Sequence, residues 1–143
     1  MVAAIASVEI PRKEWETLLP MLCENAEHND FNIRLASLTT LGYICEEIDP
    51  RCISDPIKNR IILALINNMD VGPDPQKLEA CRVASKALSN SIPFVGQNFK
   101  VQHERDYIMN KIFDACEQSN DEDIIVSCLY SLREISTLEY DSV

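Results

Sequence analysis

The sequence predicts an all-α chain folded as an α–α superhelix, with about three helix pairs and part of a preceding helix. Three observations lead to this prediction. Apolar residues recur at intervals of three and four along almost the whole chain, the pattern of amphipathic helices. No segment alternates apolar and polar residues with a period of two, so no sheet is expected. The predicted helices form pairs that repeat roughly every 45 residues, within the range of helix-pair repeats.

The first predicted pair spans residues 11–50. Its first helix contains Pro20, and its second helix begins after Asp30, a residue type that caps helix N-termini. The second helix should end at Asp49-Pro50, because the residue before a proline avoids the helical region. The apolar positions are Trp15, Leu18, Leu19, Leu22, Cys23 and Ala26 in the first helix and Leu35, Leu38, Leu41, Cys45 and Ile48 in the second.

The second predicted pair spans residues 53–94, and each of its helices opens with an Asp-Pro step. Such a step combines an N-cap with a first-turn proline, a strong start signal. The steps are Asp55-Pro56 and Asp74-Pro75, and the expected ends are Asp70–Pro73 and Pro93. The apolar positions are Ile57, Ile61, Ile62, Leu65, Ile66 and Met69 in the first helix and Leu78, Cys81, Ala84, Leu88 and Ile92 in the second.

The third predicted pair spans residues 99–140. Asn120-Asp121 is the cap signal for its second helix. The acidic run that follows is interpreted as a helix N-terminus, where acids are favoured by the dipole, because a calcium loop needs spaced ligands and a distal Glu. The apolar positions are Tyr107, Ile108, Ile112, Ala115 and Cys116 in the first helix and Ile125, Cys128, Leu129, Leu132 and Ile135 in the second.

The repeat length and several residues are typical of HEAT repeats. The period lies in the range of about 40–47 residues shared by HEAT and armadillo repeats. Asp30 followed by Arg34 resembles the HEAT pair that forms a charged ladder between repeats. The third pair keeps Asp121 but has Ile125 at the basic position, so the ladder is expected to be broken there. Small residues in the second helices should let the two helices of a pair approach closely.

Both ends of the chain are apolar, whereas solenoids normally end in polar capping repeats. Residues 1–10 are interpreted as the tail of a helix from a preceding repeat, and Leu138 and Tyr140 lie close to the last residue. The sequence is therefore predicted to be a piece of a longer array. The alternative is a short three-repeat protein with an apolar end.

The charge balance argues against two classes of partner. Lys and Arg total 13 and Asp and Glu total 23, a formal net charge of -10. Binding to nucleic acid or to an anionic membrane surface depends on cations, so neither partner is expected. No apolar run is long enough to span a membrane, and the first residues lack the basic region of a signal peptide.

No catalytic site, metal site or cofactor is expected. The six cysteines form no CxxC pair, and His28 and His103 are far from any such pair, so the thiols are interpreted as free and buried. Reduced thiols suit the cytosol or the nucleus. No GxSxG, HExxH, Walker A or GxGxxG motif is present, and His103-Glu104 is interpreted as solvated surface, so the protein is not expected to be an enzyme.

Over nearly its whole length the sequence resembles the importin-β family of nuclear import receptors, the karyopherins-β. The segments that carry the resemblance are IASVEIPRKEW, LTTLGYICEEIDP, NRIILALINNM, ALSNSIPF and ERDYIMNKIFDACEQSNDE. The resemblance implies HEAT repeats from the amino-terminal third of the family. It also implies a role in carrying proteins through nuclear pores, with residence in the cytoplasm, in the nucleus and at pores of the nuclear envelope.

The resemblance further implies three kinds of partner. These are nucleoporins with Phe-Gly repeats, the GTP form of the GTPase Ran, and import cargo or the importin-α adaptor. The family's cargo surface lies mostly in later repeats and its Ran contacts begin in earlier ones. This chain is therefore expected to bind Ran and cargo weakly or not at all. Glu46 and Glu47 are candidates for the border of the Ran surface.

In the family, the main Phe-Gly pocket lies on the convex surface, between the first helices of two successive repeats. The residues carried over are Ile62, Leu63 and Ile66 on the third helix and Glu104, Tyr107 and Ile108 on the fifth. Tyr107 stands where most members have Phe, so its hydroxyl needs a partner or water. Leu63 replaces a smaller polar residue, which should narrow the pocket.

Two interpretations of the aliphatic-rich third helix stay open at this stage. Its aliphatic residues cover more than one helical face, so they could line a groove for a Phe ring or form the core between repeats. Periodicity alone favours core, and the family resemblance favours the groove for Ile66 and Tyr107. The alternative function is another HEAT scaffold, of the phosphatase-scaffold type or a different karyopherin, without a Phe-Gly site.

Overall fold

The computed structural model of the chain describes residues 12–70, 72–96 and 98–141. These residues form six α-helices and no strand, which confirms the all-α prediction for this part of the chain. Residues 1–10, predicted to belong to a preceding repeat, lie outside it. The helices are α1 (Arg12–Asn25), α2 (Phe31–Glu47), α3 (Asp55–Asn67), α4 (Pro75–Asn90), α5 (Gln102–Gln118) and α6 (Glu122–Asp141). Short 3₁₀ turns cover Pro50–Cys52, Ile92–Phe94 and Asn98–Lys100.

Aspartates cap the second helix of each pair, as the sequence predicts. Oδ1 of Asp30, Asp74 and Asp121 accepts a hydrogen bond from the backbone N–H two residues later, at 2.9, 2.9 and 3.0 Å. Each bond satisfies one of the N–H groups that have no partner within the helix. Pro20 lies inside α1, also as predicted.

Two predicted helices end earlier than expected. α3 ends at Asn67 rather than just before Asp70, and α4 ends at Asn90, so Ile92 lies in the following 3₁₀ turn. Ile92 and Phe94 are nonetheless fully buried, because this turn packs against α4 and α6. The connector between the second and third pairs is therefore part of the core.

Successive repeats are joined mainly through their second helices. α2 packs along α4, and α4 packs along α6. A Cβ added at Gly42 of α2 would lie 3.1 Å from Cβ of Ala87 in α4. At Gly42 and Ala87 small residues thus bring the second helices of neighbouring pairs together, whereas the sequence predicted that small residues let the two helices of one pair approach closely. That prediction was wrong, because periodicity shows which residues are small but not which neighbour they meet.

The first helices are less evenly spaced. α1 packs along α3, but α3 and α5 approach each other closely at few backbone positions. The connector residues Ile92, Phe94 and Val95 are buried. This spacing leaves an open groove between α3 and α5.

The predicted apolar stripe of α6 is wrong at two positions. Ile124 is fully buried, whereas Ile125 is partly exposed and Leu129 is 54% exposed. Ser131 is buried in the stripe, and its hydroxyl donates to the carbonyl oxygen of Ser127 at 3.0 Å. A serine that satisfies its hydroxyl within the helix can occupy a core position that hydrophobicity alone assigns to leucine.

The charged contact between repeats is not where the sequence places it. Among the described residues Arg34 forms no ion pair, and its guanidinium lies 5.9 Å from the ring centroid of Phe31. Instead Nη2 of Arg82 in α4 lies 2.6 Å from a carboxylate oxygen of Asp121, the cap of α6. Arg82 also pairs with Glu79. The prediction that the contact is broken at the third pair was therefore wrong, because the arginine comes from the preceding repeat and not from the position of Ile125.

This contact makes stability depend on pH. The Arg82 guanidinium, together with backbone N–H donors of α6, lowers the pKa of Asp121. A carboxyl group with a lowered folded-state pKa stabilises the fold above its unfolded pKa of about 3.9, and this stabilisation is lost as the pH falls through the folded pKa. We expect Asp121→Asn, which keeps the capping oxygen, to lower the urea midpoint at pH 7, and the difference from wild type to shrink as the pH falls below about 4.

Asp30→Asn is the matched control, since it changes a capping carboxylate that has no arginine partner within the described chain. Its effect on the urea midpoint at pH 7 should be smaller. Equal midpoints for Asp121→Asn and wild type at pH 7 would show that the Arg82 contact does not stabilise the fold.

Candidate functional site

The groove between α3 and α5 contains all six residues that the sequence predicted for a binding site. It has a volume of about 350 Å³ and is open on one side. α3 contributes Ile62, Leu63 and Ile66, and α5 contributes Glu104, Tyr107 and Ile108. The i, i+1, i+4 spacing on α3 and the i, i+3, i+4 spacing on α5 turn both sets toward the same space.

The floor and the rim of this groove differ in burial. Ile62, Ile66 and Ile108 are 2%, 0% and 3% exposed, so they belong to the core between repeats as well as to the groove. Leu63 and Tyr107 are 47% and 43% exposed and form the rim. Burial thus confirms the core interpretation for the floor, including Ile66, and shows that the rim is accessible surface, while a groove for a Phe ring stays a prediction.

Tyr107 was placed in a buried stripe as well as in the groove, and its exposure shows that the first assignment was wrong. Its hydroxyl donates to Oδ1 of Asn67 at 3.3 Å, which supplies the partner that the additional oxygen needs. Nδ2 of Asn67 in turn donates to Oε1 of Glu27 at 3.2 Å. Nζ of Lys111 lies 5.9 Å from the ring centroid of Tyr107. These contacts link the rim residue to the second pair through Asn67 and, by way of Asn67, to Glu27 of the first pair.

One end of the groove is polar, and sequence reasoning did not predict it. Its additional lining residues are Asn59, Asn98 and His103, next to Glu104. Nδ2 of Asn98 donates to Oδ1 of Asn59 at 2.7 Å. A signal for Asn59 was present, because it precedes Ile62 by three residues and so lies on the same face of α3. No comparable signal existed for Asn98, which lies in the connector. His103 is exposed, as predicted for the His103-Glu104 pair, and it also lines the groove.

A second and larger groove, of about 530 Å³, crosses the second helices α2, α4 and α6. Gly42, Ala87 and Ser127 are among its lining residues, and the exposed side chains of Tyr43 and Val126 also face it. The sequence indicated no site here apart from Glu46, which lines this groove. Its lining combines carboxylates, basic groups and apolar surface, so it offers a mixed contact surface and no reactive group.

The cysteines do not form a reactive site within the described residues. All six are free, as predicted, and Cys23, Cys45, Cys81 and Cys128 are buried. Burial raises the pKa of Cys23 to about 11 and the pKa of Cys45 and of Cys128 to about 12, which keeps these thiols protonated and weakly nucleophilic. The prediction of burial was wrong for Cys52, which is exposed in the 3₁₀ turn after α2.

The described part of the chain has neither a metal-ligand cluster nor a helix that could span a membrane. It contains no group of three or more His, Cys, Asp or Glu residues that could hold a metal ion. None of its helices is both long enough and apolar enough to cross a membrane.

Paired helices of this length, with capped second helices that stack on one another, define the chain as a HEAT-repeat solenoid. Comparison with known proteins narrows this class. The chain is 31% identical to importin subunit beta-1 of Arabidopsis thaliana over 115 residues, 80% of this chain. It is 34% identical to that of Schizosaccharomyces pombe and 33% identical to that of Saccharomyces cerevisiae, over 100% and 98% of this chain.

Solved structures agree with these relatives. A crystal structure of importin beta in an ammonium sulfate condition matches 99% of this chain and 16% of that chain, with a TM-score of 0.78 and 34% identity. A structure of Kap95p with RanGDP matches 98% of this chain and 16% of that chain, with a TM-score of 0.77 and 28% identity. No family model matches the sequence. The chain belongs to the importin-β family. It spans 13–16% of the length of the curated relatives it matches.

Proposed function

We propose that the chain forms part of a nuclear import receptor and that the groove between α3 and α5 binds Phe-Gly segments of nucleoporins. One observation carries this proposal: the six residues carried over from the family line a single groove with an apolar floor. A groove of this size and lining accommodates an aromatic ring. The receptor would accordingly move between cytoplasm and nucleus through the pores, as a carrier rather than an enzyme.

The groove predicts weak binding at each site. Burying one Phe side chain contributes about 2–3 kcal/mol, much of which is offset by the cost of association. Several Phe-Gly segments on one nucleoporin would raise the overall affinity through effective concentration. Weak individual contacts also allow fast release, which suits movement through a pore.

Ran and cargo are proposed as partners of the whole receptor. The matched structure of Kap95p was determined with RanGDP. In this chain Glu46 lines the groove on the second helices, so that surface is the place where a border with Ran would lie. The chain alone should bind Ran, import cargo or the importin-α adaptor weakly or not at all, because it spans so little of its relatives' length.

An NMR titration tests the Phe-Gly proposal. Adding a Phe-Gly peptide to the ¹⁵N-labelled chain should shift the amide signals of α3 and α5 near Leu63 and Tyr107, with a dissociation constant in the high-micromolar to millimolar range. A peptide with Ser in place of Phe should leave them unchanged. No shift at millimolar peptide, or shifts confined to other helices, would favour the alternative of a HEAT scaffold without a Phe-Gly site.

A further inference from the structure

The polar end of the groove contains a buried side chain with unused hydrogen-bonding capacity. Asn98 is only 6% exposed, and its Nδ2 is bonded to Asn59. Among the described residues its Oδ1 has no hydrogen-bond partner. A buried acceptor without a donor destabilises the fold, so such groups are rare unless a ligand or water completes them.

Asn98 lies at one end of the groove, beyond the isoleucine residues of the apolar floor. Asn59 precedes Ile62 by one helical turn on α3, and Glu104 precedes Ile108 by one turn on α5. Asn98 is bonded to Asn59, so it lies at the end of the groove where α3 and α5 begin. A ligand whose ring rests on the isoleucine floor would place its neighbouring main chain over this polar end.

We propose that Asn98 is a specificity-determining residue of the groove, which accepts a hydrogen bond from the backbone N–H of the residue next to the bound aromatic side chain. The inference rests on the proposed Phe-Gly function and deepens it. Asn98 lines the groove, and the terminal torsion of asparagine is broad, so its amide can rotate to present Oδ1 to a ligand. Glycine is the residue whose N–H comes closest to a buried acceptor without a side chain in the way. The groove would thus select the Phe-Gly pair and not Phe alone.

Backbone methylation of the peptide tests this inference on the unmodified protein. Replacing the Gly after Phe by N-methylglycine removes the N–H donor and adds a methyl group, and methylating the amide three residues further on is the matched control for the added methyl group. We expect the first peptide to bind about fivefold more weakly, a factor equivalent to roughly 1 kcal/mol, and the control to bind like the parent. Equal affinities for the two methylated peptides would overturn the inference and leave the Phe-Gly proposal intact.

A protein variant tests the same hydrogen bond by removing its proposed acceptor. In Asn98→Leu, which has similar size and no polar atoms, the parent and N-methylglycine peptides should bind alike. If Asn98→Leu still binds the parent peptide more tightly than the N-methylglycine peptide, by the same factor as wild type, the N–H is bonded to another acceptor. That result would overturn the role of Asn98. If this variant does not fold, the peptide comparison on the wild-type chain still decides the question. Absence of binding by every peptide would instead overturn the Phe-Gly proposal itself, and this inference with it.

Discussion

Leu63→Asp is expected to weaken Phe-Gly binding at least tenfold without unfolding the chain. Leu63 lies at the rim of the groove with about half of its surface exposed, so its replacement leaves no cavity in the core. Binding would have to desolvate the new carboxylate near the apolar floor and close to Glu104. Lost contact and desolvation together should exceed about 1.4 kcal/mol, which corresponds to a factor of ten in affinity.

The measurement is the same NMR titration, together with a thermal melt followed by circular dichroism. Met21→Asp is the matched control, because Met21 is an equally exposed apolar residue on a first helix outside the groove. That variant should bind the peptide like wild type. An unchanged dissociation constant for Leu63→Asp would show that this face of α3 is not part of the binding site.

Ile66→Asp, only one turn further along the same helix, should unfold the chain or nearly so. Ile66 is fully buried, so the change removes packed apolar atoms and places a carboxylate where no water reaches it. Truncating a buried isoleucine costs about 2–5 kcal/mol, and an unpaired buried charge adds several more. A domain's stability is typically about 5–15 kcal/mol, so most of it would be lost.

Circular dichroism should show a strongly lowered melting temperature or no cooperative transition for this variant. Leu63→Asp introduces the same side chain on the same helix and is therefore its control. A melting temperature for Ile66→Asp close to that of wild type would mean that Ile66 is accessible and belongs to the rim. Loss of peptide binding in Ile66→Asp would not by itself show that Ile66 contacts the peptide, because unfolding alone abolishes binding. Leu63→Asp does not have this ambiguity.

Local signals predicted the helices well because their determinants are close together in the sequence. An Asp cap bonds to a backbone N–H only two residues away, and a first-turn proline acts on its own helix. The errors arose where a residue's role depends on a distant partner. Ser131 is buried because α6 lies against α4 and α5, and Arg82 serves as the inter-repeat cation because Asp121 lies within its reach.

The candidate site likewise has one part that was predicted from the sequence and one part that was not. The residues of its apolar part were carried over from family resemblance at helical spacing, and the structure brings them into one groove. The polar end could not be predicted, since it depends on a connector asparagine meeting Asn59 from a position 39 residues away. Periodicity also could not separate the buried floor from the exposed rim.

By itself, the sequence determined the all-α class, the helix pairs and the caps of the second helices, because hydrophobic periodicity and capping act within a few residues. Resemblance at the level of sequence also identified the family. Only the tertiary structure decided which aliphatic residues of α3 are core and which are rim, and which arginine joins the repeats. Those properties depend on how one helix pair stacks on the next. The stacking includes the close approach of Gly42 to Ala87, a contact between distant residues that no local pattern contains.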